Sequence, residues 1–351
     1  AELPPEERAH GVRTRGLRKV YPRGVAVHGL DLEMRRGQIT ALLGANGAGK
    51  TTTISMLTGL IPPDAGDAWV DGLSIRTAMV AIRQSLGVCP QLNTIFGAMT
   101  PTQHLRLYGA LKGLRGDELE AGGARLLQQV GLAEKVHTNA EALSGGQKRK
   151  LCLAVSLVGS STTIFLDEPT SGMDPHSRRA IWALLRHYRE GRAVVLTTHF
   201  LDEAELLSDS IAIMAEGRLR CVGSALFLKA KFGVGYRLSL TKQPGRFDAG
   251  RLLALLQKQL PAASMLRDGR LEAEVQLPGQ DMEAFTCVFR ALEAELPALG
   301  CVDYGVTCTT LEDIFLRINE NALLRLAANE EGRTPVPTPG PTPQPSPPEP
   351  P

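Results

Sequence analysis

What the sequence lacks narrows the field first. No apolar run reaches the roughly 18 residues that a membrane-spanning helix needs. The most apolar stretches, such as Leu151 to Val158, stop early at Gly or Ser. The chain is therefore not expected to cross a membrane by itself. Charge of one sign is missing too: 39 Lys and Arg stand against 37 Asp and Glu, a net charge of +2. That argues against nucleic acid as a partner. Cysteines at 89, 152, 221, 287, 301 and 308 form no Cys-x-x-Cys pair and have no matched His cluster, which argues against zinc. Single, scattered cysteines predict reduced core thiols and a cytosolic setting. Ala1 to His10 is charged and contains proline, unlike a secretory leader. The first residue is Ala rather than Met, as expected of a piece of a longer polypeptide.

What is present reads as globular. With 351 residues, 43% hydrophobic and 22% charged, the chain has material for two or three domains with a sizeable core. From Pro335 to Pro351, 10 of 17 residues are proline. Such a segment cannot pack a core and is expected to be extended or disordered, as a solvated linker or a ligand for a proline-binding partner. Between about 11 and 232, short apolar runs alternate with helical stretches. Gln38 to Leu43, Thr163 to Leu166 and Ala193 to Thr197 read as buried strands, and Thr51 to Leu60 as a helix. That alternation predicts an α/β fold with a mainly parallel sheet covered on both faces. A Leu- and Ala-rich block at about 93–158 reads as a helical insertion.

From 236 to 318 the order changes. Tyr236 to Thr241 alternates like a half-buried strand, and Phe247 to Leu260 has helical spacing. Met265-Leu266 and Leu271 to Val275 flank Asp268-Gly269, a hairpin signal. Asp281 to Leu296 is helical, Val302 to Thr307 alternates, and Leu311 to Ile318 closes as a helix. The order β-α-β-β-α-β predicts a small α+β, ferredoxin-like domain.

Chemistry concentrates in the first zone. Gly44-Ala45-Asn46-Gly47-Ala48-Gly49-Lys50-Thr51 fits the phosphate-binding pattern G-x-x-x-x-G-K-[ST] and lies between a predicted strand and a predicted helix. Its glycines let backbone N–H groups wrap phosphate oxygens at a helix N-terminus, where the dipole favours anions. Lys50 would reach the β/γ-phosphates, the Thr51 hydroxyl would bind Mg²⁺, and Thr52 follows in the same cradle. The strand Thr163 to Leu166 ends in Asp167 and Glu168. Alone, acids often simply terminate strands; beside a phosphate loop, Asp167 reads as a Mg²⁺ ligand and Glu168 as the group that orients or deprotonates water. Leu143-Ser144-Gly145-Gly146-Gln147 leads into a helix and makes a second anion site. Taken alone it is a Gly-rich loop with a capping Ser. Next to the first loop it suggests a γ-phosphate receptor serving a nucleotide held by another subunit or domain.

With these motifs the chain resembles the nucleotide-binding domain of an ATP-binding cassette (ABC) transporter over residues 11–232. Leu143 to Gln147 is similar to that family's signature loop. The resemblance implies an adenine-stacking role for Tyr21, Mg²⁺ sensing and membrane-domain contact for Gln91, a dimer-interface loop at Ser171-Gly172-Met173-Asp174, and a γ-phosphate switch role for His199. Pro175 to Trp182, Gly223 to Lys229, Gly235-Tyr236 and Thr310 to Phe315 are similar to the eukaryotic A subfamily, its first ATP-binding half and following regulatory domain. Ala45 stands where His or Pro is common, and Gln147 where such first halves often carry Met. Thr310 to Phe315 also resembles the C-terminal segment of some bacterial drug-exporter ATPases.

The resemblance implies a P-loop ATPase at 11–232, a regulatory domain at 233–320 and a disordered tail at 321–351, with ATP and Mg²⁺ as cofactors. It implies pairing with a second nucleotide-binding domain, as a tandem half or a homodimer, and attachment to transmembrane domains at the cytoplasmic face of a membrane. Lipid would be the cargo. A bacterial-type drug or ion exporter ATPase and a soluble, non-transport ABC ATPase are the alternatives. The second domain reads as a packing and dimer-stabilising appendage, or as a clasp on its counterpart.

Overall fold

The computed structural model describes residues 11–318 except 233–234, 244, 278–281 and 309, with the side chains at 282, 283 and 308 also set aside. The expected disordered tail at 321–351 lies outside the described residues. The chain opens with a hairpin, β1 (Val12–Tyr21) and β2 (Gly24–Met34), then a short strand, β3 (Ile39–Leu43), which feeds helix α1 (Lys50–Leu57). Strands β4 (Ala65–Val70) and β5 (Leu73–Ser74), helix α2 (Met79–Ser85) and strand β6 (Leu86–Cys89) follow. Three helices come next: α3 (Pro101–Leu111), α4 (Gly116–Gln129) and α5 (Gly145–Leu157). After them come β7 (Thr163–Asp167), α6 (Pro175–Tyr188), β8 (Ala193–Thr198), α7 (Leu201–Leu207), β9 (Ser210–Ala215), β10 (Arg218–Gly223) and α8 (Ala225–Phe232).

The central sheet has the order β10-β9-β3-β8-β7-β6. Every pairing in it is parallel except β10 with β9. Strands β3 and β7 are buried along their whole length, yet their side chains still divide by face. Ile39, Ala41, Leu43, Ile164, Leu166, Val194 and Leu196 enter one core with α5, α6 and α7. Leu42, Phe165 and Val195 enter the other with α1 and the opening hairpin. Both faces are covered, as a parallel sheet requires.

A second sheet, β2-β1-β4-β5, is antiparallel and lies over α1; strand–helix alternation gives no hint of it. Its β1 breaks step between Thr14 and Leu17, where Gly16 has φ +57°. That bulge interrupts the period of two on which strand recognition depends. The predicted helical insertion is present as α3, α4 and α5. Of these, α5 begins at Gly145, within the Ser144 to Gln147 loop itself.

The second unit follows the predicted order: β11 (Tyr236–Lys242), α9 (Ala249–Gln257), β12 (Ser264–Asp268), β13 (Glu272–Leu277), α10 (Met282–Glu295) and β14 (Cys301–Cys308). Its sheet, β12-β13-β11-β14, is wholly antiparallel. Leu252 and Leu256 of α9 and Val288 and Leu292 of α10 pack on Leu238, Leu240 and Val275. A last helix, α11 (311–318), is contiguous with this unit but packs elsewhere. Leu311 and Ile314 are buried in the first unit's core beside Leu228 of α8. Asp313 on the same helix pairs with Arg237 of β11.

The expectation of core thiols holds for Cys89, Cys152 and Cys301, which are buried. Burial pushes the Cys89 thiol up to about 12. Cys221 is half-buried, and Cys287 on α10 is exposed, a correction to that expectation: position 287 falls on the helix face turned from the sheet.

Candidate functional site

Strands β3, β8, β7 and β6 are successive neighbours running the same way. Their C-terminal ends therefore share one edge of the sheet, the ligand edge of an open α/β fold. Gly44 follows β3, His199 follows β8, Asp167 and Glu168 close β7, and Gln91 lies just past β6.

The loop from Gly44 to Lys50 is shaped by backbone approach. A Cβ at Gly44 would meet the Met214 carbonyl at 2.6 Å. At Gly49, φ is +95° and a Cβ would lie 2.5 Å from the Ala26 carbonyl of β2, so only glycine fits. Asn46 and Gly47 are exposed and Ala48 is buried. The Lys50 side chain turns back into the loop, its Nζ donating to the Gly44 and Ala45 carbonyls at 2.7 and 3.1 Å. Burial lowers the pKa of its ammonium, and the Glu168 and Asp167 carboxylates push it back up. A buried cation whose hydrogen-bond partners among the described residues are two carbonyls, at the start of a helix, is suited to an anion.

Asp167 is 4% exposed. Its Oδ1 accepts from Thr51 Oγ1 at 3.2 Å and from Thr197 Oγ1. A carboxylate and a hydroxyl this close are hard oxygen donors of the type Mg²⁺ takes alongside phosphate oxygens and water, so Thr51 and Asp167 fit the ion. Glu168 has φ +50°, uncommon for a side chain with a Cβ. Its N–H donates to the Thr197 carbonyl and hydroxyl at 3.2 and 3.0 Å. Its Oε1 lies 3.1 Å from His199 Nδ1.

The structure thus brings Lys50, Thr51, Asp167, Glu168 and His199 together. The other predicted residues stand around this cluster. Tyr21, 41% exposed, sits at the β1–β2 turn, on the hairpin whose second strand abuts the loop at Ala26. Thr52 is half-buried in the first turn of α1. Gln91 has an exposed side chain, and its carbonyl is anchored by Arg149 Nη1 at 3.0 Å. Ser144 caps α5: its Oγ accepts from Gln147 N at 3.3 Å, and Gln147 Oε1 accepts from Ser144 N at 3.0 Å. Met at 147 could not close this reciprocal cap, and the Ser144 proton is still available to donate. Gly145 and Gly146 start the helix, and a Cβ at Gly146 would lie 3.7 Å from the Gly172 carbonyl. The signature loop therefore abuts the 171–174 loop of its own chain. Asp174 caps α6, and the Ser177 N–H and hydroxyl hold its carboxylate below the usual range.

Three residues escaped the sequence reading. Thr197 joins the Asp167 carboxylate to the Glu168 backbone. Glu203 of α7, 1% exposed, accepts from Thr170 Oγ1 and Trp182 Nε1 at 2.8 and 3.1 Å. Arg149, 2% exposed, spreads its guanidinium over the loops after β6 and β7. A charged residue on the otherwise apolar face of α5 was the available signal for it.

Comparison with known proteins adds independent ground. The family described as ABC transporter matches residues 27–171, and an ACT-like domain matches 236–311. Over 320 residues the chain is 44% identical to ABC transporter A family member 2 of Dictyostelium discoideum, covering 89% of this chain and 20% of that protein. Over 323 residues it is 44% identical to phospholipid-transporting ATPase ABCA3 of Homo sapiens, covering 91% of this chain and 19% of that protein. The chain thus spans about a fifth of the length of these curated relatives. Among solved structures, the ATP-binding subunit of an ABC transporter matches with a TM-score of 0.59 at 26% identity, over 63% of this chain and 92% of that one. A dimeric bacterial ABC transporter cassette shares the fold, with a TM-score of 0.57 at 22% identity over 61% of this chain and 98% of its own.

Proposed function

Because this chain carries an ABC transporter ATP-binding domain of the A-subfamily type followed by an ACT-like domain, we propose that it hydrolyses ATP to power lipid transport across a membrane. The adenine would stack on Tyr21, and the phosphates would lie on the N–H groups of Gly44 to Thr52 with Lys50 against their charge. Thr51 and Asp167 would hold Mg²⁺, helped by Gln91; when bound, the ion neutralises phosphate charge. Ser144, Gly145, Gly146 and Gln147 of a second nucleotide-binding domain would close over the γ-phosphate, with Asp174 at the seam.

One observation carries this reading: the Glu168 carboxylate, set in a left-handed backbone and held 3.1 Å from His199 Nδ1 at the same sheet edge as Lys50 and Asp167. In the closed pair, water attacks the γ-phosphorus in line with the departing β–γ bridging oxygen. Glu168 takes the water proton, and ADP and phosphate form. His199 and Lys50 face charge that grows in the transition state. Loss of the γ-phosphate removes what joins the halves, and they part. That cycle would move transmembrane domains docked near Gln91, at the cytoplasmic face of the membrane. Among the described residues no helix is long and apolar enough to cross one. The lipid cargo rests on the names of the relatives.

Glu168→Gln tests the reading. Steady-state hydrolysis should fall by about a hundredfold or more, ATP should still bind, and ATP should shift the variant to a dimer on a sizing column. Turnover retained in this variant overturns the assignment of the base.

A further inference from the structure

Among the described residues, Arg149 is heavily engaged although it lies outside the predicted site. It lies on α5, just beyond the signature loop, and its guanidinium is buried. Nη1 donates to the Pro90 and Gln91 carbonyls, Nη2 to the Asp167 and Glu168 carbonyls, and Nε to Pro169 O at 3.3 Å. Among the described residues no carboxylate forms an ion pair with it. The charge is solvated instead by five main-chain carbonyls from two loops of the same chain and, at 3.5 Å, by Asn93 Oδ1. Such an array needs the planar fork of arginine. An ammonium has three donors radiating from one point and cannot span both loops.

The consequence falls on Glu168. Its backbone is in the left-handed region, which a residue with a Cβ keeps only when its surroundings hold it there. Three residues do so, from both sides of the peptide. Thr197 accepts from the N–H, while the carbonyl accepts from Arg149 at 2.9 Å and, more weakly, from the Ser171 N–H at 3.2 Å. Without Arg149 the Glu168 carbonyl keeps the longer Ser171 turn bond at 3.2 Å, and the peptide after Glu168 is freer to rotate toward the ordinary helical or extended basins. Its carboxylate then swings off the position 3.1 Å from His199. We infer that Arg149 is a positioning residue for the hydrolytic reaction. It fixes the Glu168 carboxylate and, through the Gln91 carbonyl, the neighbouring loop, and so joins the signature helix to the base of the same chain. This inference rests on Glu168 being the base.

The test compares the full chain with Arg149→Gln, Arg149→Lys and Glu168→Gln. Steady-state ATPase gives kcat and KM, equilibrium titration gives ATP affinity, and thermal unfolding reports the fold. Displacing a reacting group by about an ångström costs up to a hundredfold in rate, so kcat in Arg149→Gln should fall roughly ten- to a hundredfold. Its ATP affinity should stay within about threefold of native, because Arg149 touches none of the phosphate-loop groups. Arg149→Lys keeps the charge and guards against a variant that fails to fold; its kcat should lie between the other two. Native-like kcat in folded Arg149→Gln, or proportionate loss of kcat and ATP affinity in both Arg149 variants, overturns the inference. Turnover surviving in Glu168→Gln would instead bring down the base assignment beneath it.

Discussion

The two units both layer helices on a sheet, yet they bury different things. The first hides Lys50, Arg149, Asp167 and Glu203 among apolar walls; the second buries Lys242 as its charged residue, with a core of Leu, Val, Ala and Phe. A buried charge is costly unless partners surround it. In the first unit those partners are loop carbonyls, hydroxyls and an indole N–H, all gathered at one sheet edge. In the second, charges such as Arg251 and Glu295 pair near the surface. Two architectures of similar regularity therefore differ in what their polar groups are held for: presentation to a ligand in one, outline of a packed body in the other.

That contrast can be broken or sharpened by substitution. The largest effect is expected at Lys50. Lys50→Met removes a charged donor, and hydrogen bonds to charged groups are worth about 1.5–3 kcal/mol. ATP affinity should fall by about ten- to a hundredfold in a titration, with the melting temperature little changed. In the second unit the pattern should invert. Leu252→Ala empties a fully buried site and should lower that unit's stability by about 3 kcal/mol in chemical denaturation, while ATPase stays within about twofold.

A smaller effect tests whether buried charge in the first unit is always tied to the site. Burial lowers Lys112 to about 8, far from the catalytic edge, where its Nζ donates to the Val158 carbonyl at 3.0 Å. The unfolded chain, with an ordinary lysine, holds that proton up to about pH 10.5. Between these values the unfolded state binds more protons, so stability rises with pH. Relative to Lys112→Met, the native chain should gain about 2 kcal/mol between pH 7.5 and pH 10. A flat difference would mean that the ammonium reaches water. The smallest effect is expected from Arg251→Ala, whose ion pair with Glu295 is exposed and should contribute under about 1 kcal/mol.

The candidate site at the sheet edge was legible where its pattern lies in local spacing. Gly44 to Thr51, Asp167-Glu168 and Ser144 to Gln147 are each a short run of particular residue types, so each is visible as a local pattern. The βαββαβ order was legible too, since its strands alternate cleanly and its hairpin carries Asp268-Gly269. The opening antiparallel sheet was not: the bulge at Gly16 and the Tyr21-Pro22-Arg23-Gly24 turn leave neither regular alternation nor a strong hairpin pair. Arg149 and Thr197 stayed hidden for a different reason. Arg149 is held by main-chain carbonyls, and Thr197 meets a backbone N–H and a carboxylate of the neighbouring strand; main-chain groups have no letter in the sequence, and a carboxylate does not name its partner. Glu203 likewise shows its role only once Thr170 and Trp182 are brought beside it.

The return of α11 to the first unit changes how the second unit is attached. The chain leaves from α8 and comes back through Leu311 and Ile314, both sunk in the same core as Leu228. The ACT-like unit is therefore held as a closed loop rather than as a pendant, with both stems rooted in one neighbour. A loop anchored at two points samples a far smaller volume than one free at its end, and its effective concentration at nearby surfaces rises accordingly. Whatever the ACT-like unit meets, it meets in step with the helices on which both of its stems stand.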